Sequence, residues 1–177
     1  ELISSTVSGN VTSGVNASGG GIATSLGALF LTNSTVSGNR VDGLDSDGGG
    51  LWFDNADVTL VNTTLTLNRA RRAGGGMGMF ADTEDKKLTI HNSIVAGNTA
   101  PASADFTAPN TPLTNLDVQF SLIGDNTGTS LGAATSADSK GNLIGTSTAP
   151  LDAKLGPLQD NGGTTFTHAL LAGSPAI

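Results

Sequence analysis

The side chains of this chain with most chemistry to offer are a few carboxylates, one lysine and two histidines. Asp57 and Lys87 lie 30 residues apart, at nearly the same phase of an internal repeat. A carboxylate beside an amine on one surface could serve general acid–base catalysis. A hydrolase needs two or three converging carboxylates, one to protonate the leaving group and one to activate water. An elimination needs a positioned base that abstracts a proton. One repeat earlier the Asp57 phase is held by Ala28, and no Asp-Asp pair falls on a strand. No catalytic residue is therefore assigned.

His91 stands beside Asn92 where a strand turns and reads as a turn residue. His168 lies near the C-terminus and reads as a capping hydrogen-bond partner. Two isolated histidines and no cysteine make a poor transition-metal site. Asp42, Asp45 and Asp47 precede Gly48 and could gather around calcium, which takes several oxygen ligands. The nonapeptide of calcium-binding β-rolls is missing, so a solvated acidic turn is the expectation, with calcium binding left open. Asp82, Glu84 and Asp85 make a weaker group of the same kind. No metal-binding or cofactor-binding residue is assigned, and no cofactor is expected.

These side chains need elements to hold them. The chain has 177 residues, 37% hydrophobic, 13% charged and 4% aromatic, with 25 glycines. The charged share is about half the usual one. Such a mixture belongs to a Gly/Ser-rich linker or to short strands and tight turns. The net charge of −7 and a pI near 4.4 argue against nucleic acid or an anionic membrane as partner. The one basic cluster, Arg69, Arg71 and Arg72, reads as a solvated turn. Without cysteine there is no disulfide. No apolar run approaches the ~18 residues of a membrane helix. Glu1-Leu2-Ile3-Ser4 lacks the basic start and apolar stretch of a signal peptide, so an export signal would lie upstream.

Periodicity decides for strands. Ser4–Asn10, Asn33–Asn39, Asn62–Asn68 and Asn92–Asn98 align without a gap, their closing asparagines 29, 29 and 30 residues apart. Phe120–Asn126 is a weaker fifth copy after 28. Triple glycines at Gly19-Gly20-Gly21, Gly48-Gly49-Gly50 and Gly74-Gly75-Gly76 keep the same phase, as do the apolar pairs Leu29/Leu31, Val58/Leu60 and Leu88/Ile90. Length changes fall in polar stretches between these markers, the behaviour of solenoid coils that share a cross-section. Each coil is expected to hold three strands, such as 49–53, 58–61 and 63–67. Stacking at about 4.8 Å would make five coils a rod roughly 20–25 Å long.

Stacking also dictates columns. Val7, Val36, Leu65 and Val95 should face inward as one apolar column. Asn10, Asn39, Asn68, Asn98 and Asn126 should form an asparagine ladder bonded from coil to coil. Thr6, Thr35 and Thr64 stack as well, as an ice-binding face would require, but Ile94 ends that column. Residues 127–177 lose the phase and are expected to form an irregular last coil and a cap. Thr99 to Thr114 reads as a long excursion from the coil.

Asn33-Ser34-Thr35-Val36-Ser37-Gly38-Asn39 and Gly48-Gly49-Gly50-Leu51 resemble repeats of right-handed parallel β-helix proteins among bacterial secreted and surface proteins. They are similar, more loosely, to chlamydial polymorphic outer-membrane repeats. Leu155-Gly156-Pro157-Leu158-Gln159-Asp160-Asn161-Gly162-Gly163-Thr164, Thr167-His168-Ala169-Leu170-Leu171 and Gly173-Ser174-Pro175-Ala176-Ile177 are similar to the ending of choice-of-anchor surface proteins. The resemblance covers nearly the whole chain. It implies the pectin-lyase-like fold, export and surface display, and no defined activity.

The expectation is thus an all-β, right-handed parallel β-helix of about five coils (1–126) with an irregular C-terminal coil and cap (127–177), cut from a longer protein. Its expected function is a secreted or bacterial cell-surface structural or adhesive module, able to stack end to end into a fibre. Expected partners are its own copies or a surface protein or glycan, with no nucleic acid and no membrane span. The alternative is a polysaccharide lyase, hydrolase or glycan binder.

Overall fold

Short runs of Val, Leu, Ile and Thr, each bounded by Gly, Asn or Ser, are too brief for helix and form strands of two to five residues. The computed structural model describes residues 1–81, 86–108 and 115–177, and Asp82, Glu84 and Asp85 lie outside them. The chain winds as a parallel β-solenoid with three stacked sheets. The first sheet is β1 (Leu2–Ile3), β5 (Ala28–Thr32), β9 (Asp57–Val61), β12 (Leu88–His91) and β15 (Leu116–Gln119). The second is β2 (Thr6–Ser8), β6 (Thr35–Ser37), β10 (Thr64–Thr66), β13 (Ile94–Ala96), β16 (Leu122–Ile123) and β17 (Leu143–Ile144). The third is β4 (Ile22–Ser25), β8 (Leu51–Asp54), β11 (Met77–Phe80) and β14 (Phe106–Thr107). A two-stranded pair, β3 (Val11–Thr12) and β7 (Arg40–Val41), lines one corner.

Four levels carry a strand in all three sheets, so the solenoid makes about four turns where five were expected. The fifth level keeps only β15 and β16, because the chain leaves the coil after Gly124. The register puts like upon like: Val7 on Val36, Val36 on Leu65, Leu65 on Val95, and Val95 on Ile123. Leu31, Leu60, Ile90 and Val118 form a second inward column, and Leu51, Met77 and Phe106 a third. These side chains are buried in one continuous core.

One corner of every level has left-handed backbone. Ser4, Asn33, Asn62, Asn92, Phe120 and Gly141 have φ of 45°, 50°, 51°, 48°, 49° and 76°. Asparagine and glycine accept this conformation at least cost, whereas a bulky Phe does not. Phe120 is seated there because its ring lies over Gly141, where any Cβ would come within 2.6 Å of Phe120 Cδ1.

The stretch expected to leave the coil at Thr99 stays in it. Thr99 bridges Arg69, Ala102 bridges Ala73, and β14 pairs with β11. Ser103-Ala104-Asp105-Phe106 takes the place of Gly74-Gly75-Gly76-Met77, so the glycine marker is lost while the strand is kept. Residues 109–114, the rest of that stretch, lie outside the described residues.

Beyond β16 the chain does two things. Leu131 and Ala134 pack on the core, and Ala134 pairs antiparallel with Ile144, which covers the end of the stack. Then β18 (Leu155–Gln159) and β19 (Thr167–Leu170) form an antiparallel hairpin against the outer face of the second sheet. It docks through Ala153, Leu155 and Ala176 on Ala96 and Leu122, and Thr6 Oγ1 donates to Phe166 O at 2.7 Å in the first coil. The threonine column stacks in register but lies beneath this hairpin, with Thr35 only 4% exposed. It is no open ice-binding face.

Candidate functional site

The asparagine ladder is the main polar structure of the molecule, and it has a direction. Asn10 Nδ2 donates to Asn39 Oδ1 at 2.9 Å, Asn39 Nδ2 to Asn68 Oδ1 at 3.0 Å, and Asn68 Nδ2 to Asn98 Oδ1 at 3.0 Å. Each acceptor oxygen also takes the backbone N–H of the preceding rung, at 3.0 Å. The second Nδ2 proton of Asn39, Asn68 and Asn98 goes to Val7 O, Val36 O and Leu65 O. The third glycine of each triplet makes room for this. A Cβ on Gly21, Gly50 or Gly76 would come within 2.8 Å of the Asn39, Asn68 or Asn98 amide.

Asn126 does not continue the ladder, contrary to expectation. Its Nδ2 donates to Leu131 O at 2.7 Å instead. The fourth coil carries Asp105 where the third glycine would be, and that carboxylate fills the space of a fifth amide. Asn98 Nδ2 donates to Asp105 Oδ1 at 2.8 Å, and Asp125 N to Asp105 Oδ2 at 2.7 Å. Asp105 is 1% exposed. Burial pushes its carboxyl up to about 7, against the bonds from Asn98 and Asp125 that favour the charged form.

A second ladder of hydroxyls escaped sequence reasoning. Ser5 N donates to Ser34 Oγ, Thr63 N to Ser93 Oγ, Ser93 N to Ser121 Oγ, and Ser121 N to Asn142 Oδ1. Its signal was a Ser or Thr two residues before the inward Val7, Val36, Leu65, Val95 and Ile123 of the second sheet, with Asn142 in that place before Ile144. Among the described residues every buried side-chain nitrogen or oxygen has a partner.

The charged residues flagged by sequence separate into different places. Asp57 Oδ1 accepts the Lys87 backbone N–H at 2.8 Å, so this pair is a backbone tie. The Lys87 ammonium turns to Asp117, with Nζ 3.9 Å from Oδ2. His91 Nε2 lies 3.2 Å from the same oxygen, Lys140 Nζ lies 3.9 Å from Oδ1, and Gln119 Nε2 donates to Oδ1 at 3.1 Å. The Gln119 bond, then His91 and Lys87, hold the Asp117 carboxyl below its ordinary range despite some desolvation. Asp117 is therefore a carboxylate at neutral pH and a poor proton donor. The cluster offers cations around one anion on the outer face of the first sheet. Sequence gave no hint of it, since Thr59 and Thr89 hold the Asp117 phase in earlier coils.

The acidic turn is solvated at Asp45 and in part at Asp42, but not at Asp47. Asp47 is buried and receives Arg72 through both carboxylate oxygens, with Nε to Oδ1 at 2.9 Å, and the Ala73 N–H at 3.0 Å. Arg72 accordingly is no free turn cation either, and its guanidinium is held more firmly protonated by Asp47. Asp42 pairs with Arg40 at 2.9 Å. His168 is buried between the hairpin and the coils: Nδ1 donates to Gly156 O at 2.6 Å, which leaves Nε2 to accept the Ser37 hydroxyl at 2.8 Å when the ring is neutral.

Among the described residues, no three or more acidic or histidine side chains group in a way that could hold a metal ion. No helix is long and apolar enough to cross a membrane. In comparison with known proteins, no family model, no curated protein and no solved structure matches the chain.

Proposed function

We propose that this chain is a non-catalytic structural and adhesive module, secreted or displayed on a bacterial surface, that presents its turns on a stiff β-solenoid. The pectin-lyase-like surface proteins, with their anchor-type ending, are the family we assign by resemblance. The observation that carries the reading is the unbroken ladder from Asn10 to Asp105. A buried polar chain with every rung bonded rigidifies a stack, and its side chains are spent on the scaffold. End-to-end assembly belongs to the same proposal, because parallel coils that stack in register can receive a further coil strand on strand. Light scattering and negative-stain imaging across a concentration series should show concentration-dependent rods. A monodisperse monomer at every concentration would remove the assembly part.

A second reading, a glycan-binding or glycan-cleaving protein, is favoured by the Lys87, His91, Lys140 and Asp117 cluster on the open face of the first sheet. Incubation with pectin, alginate and related acidic glycans separates the two. Turnover that disappears in D117N or K87A would replace the structural reading.

A further inference from the structure

Asp105 is out of keeping with the rest of the ladder. An amide ladder that donates in one direction needs an acceptor at its end, and Asp105 meets Asn98 Nδ2 on one oxygen and Asp125 N on the other. Asparagine could satisfy only one of these donors, since its NH2 group would face the second. The carboxyl also borders a crevice between the fourth and fifth levels and the chain at 147–152, which leads into the C-terminal hairpin. Asn98, Gly124, Asp125, Leu151 and Asp152 line it, and Gly124 is bare enough that a Cβ there would lie 2.8 Å from Asp105 Oδ2. The other charged groups among the described residues of that lining are Asp125 and Asp152, both acidic. No cation among them offsets a charge on Asp105.

We propose that Asp105 is a proton-operated end stop: with its carboxyl neutral the 147–152 segment closes on the coils, and with it ionised that closure loosens. Both forms serve the ladder, since a neutral carboxyl still accepts from Asn98 on Oδ1 and its hydroxyl oxygen keeps a lone pair for the Asp125 N–H. They differ in the charge buried beside the Asp125 carboxyl. The native carboxyl titrates at about 7 and the ordinary value is 3.8, so between these limits the closed state binds the extra proton. Closure is therefore strongest at the acidic end of the window, weakens as pH rises toward neutrality, and levels off above it, where the carboxyl is ionised in both states. Asp117 and Asp138 are shifted the other way and act below the window.

Hydrogen exchange read by mass spectrometry at pH 5 and pH 8, corrected for intrinsic rates, tests this on the intact chain. Peptides covering 121–130 and 145–155 should lose about a hundredfold in protection at pH 8, while those covering 36–39 and 65–68 keep theirs. In D105N the pH dependence of the first group should vanish. Equal protection at both pH values in the unaltered chain, or a dependence that survives in D105N, overturns the proposal. Because D105N could disturb the end of the ladder by itself, the Asp105 carboxyl of the unaltered protein is also titrated by carbon NMR. A midpoint near neutrality supports the end stop, and one below pH 5 refutes it.

Discussion

The middle coils and the C-terminal quarter are both made of short strands around one core, yet they are secured by opposite means. In the middle, each level repeats the bond of the one before: Asn39 to Asn68 to Asn98, Val36 on Leu65 on Val95. At the C-terminal end nearly every tie is made once. Asp105 closes one ladder, Asn142 closes the other, Lys140 reaches Asp117, and His168 fastens the hairpin to Ser37. A repeat can reuse one solution only while there is another coil to receive it. Where the stack stops, its donors, acceptors and apolar faces each need a separate partner.

That contrast can be broken rung by rung. The largest effect should come from N68A, which leaves the Asn39 N–H without its partner inside the core and takes one bond from each of Asn39 Nδ2, the Asn98 amide oxygen and Val36 O. A loss of about 3–4 kcal/mol is expected in chemical denaturation, since an unpartnered buried donor costs about 1–3 kcal/mol and each further lost bond about 0.5–1.5 kcal/mol. N10A, on the first coil with one ladder neighbour, should cost well under half of that. Equal losses would mean that the ladder does not act through burial.

A smaller effect is expected for H168A. Two hydrogen bonds to the hairpin's only buried polar anchor among the described residues are lost, at about 1–2 kcal/mol. Limited proteolysis should cut the 160–166 turn faster while the circular dichroism of the coils stays unchanged. Loss of the coil signal together with the hairpin would show that the two regions are not separable.

The smallest effect sharpens the comparison at the surface. The Asp117 carboxyl is held below its ordinary value, so its contribution is present above about pH 4 and is lost as pH falls through the lowered native value. The group is solvent-screened, and a slight acid-side drop in melting temperature that D117N abolishes is the expected result. An identical acid profile in D117N would leave the cluster without a role in stability.

What sequence revealed and what it concealed follow the same division. Columns such as Val7, Val36, Leu65 and Val95 were legible because a solenoid prints one contact several times at a constant interval. The Arg72–Asp47 pair lies 25 residues apart, close to one coil, yet no other level repeats it among the described residues, and so it passed as two solvated turns. The hydroxyl ladder was visible as a Ser or Thr in each copy but was hidden by how common these residues are here. Asp105 was missed because it replaces a glycine, the marker by which that part of the coil was being followed.

By itself the amino-acid sequence determined the all-β class, the coil length, the inward columns and the asparagine ladder as far as Asn98. All of these come from local strand preference and one recurring spacing, since residues at the same phase of a stacked coil must touch. Only the tertiary structure decided where the ladder stops, which carboxylate gathers Lys87, His91 and Lys140, and that the C-terminal hairpin turns back over the threonine column. Those contacts join residues with no common phase, and three-dimensional packing alone brings such residues within bonding distance.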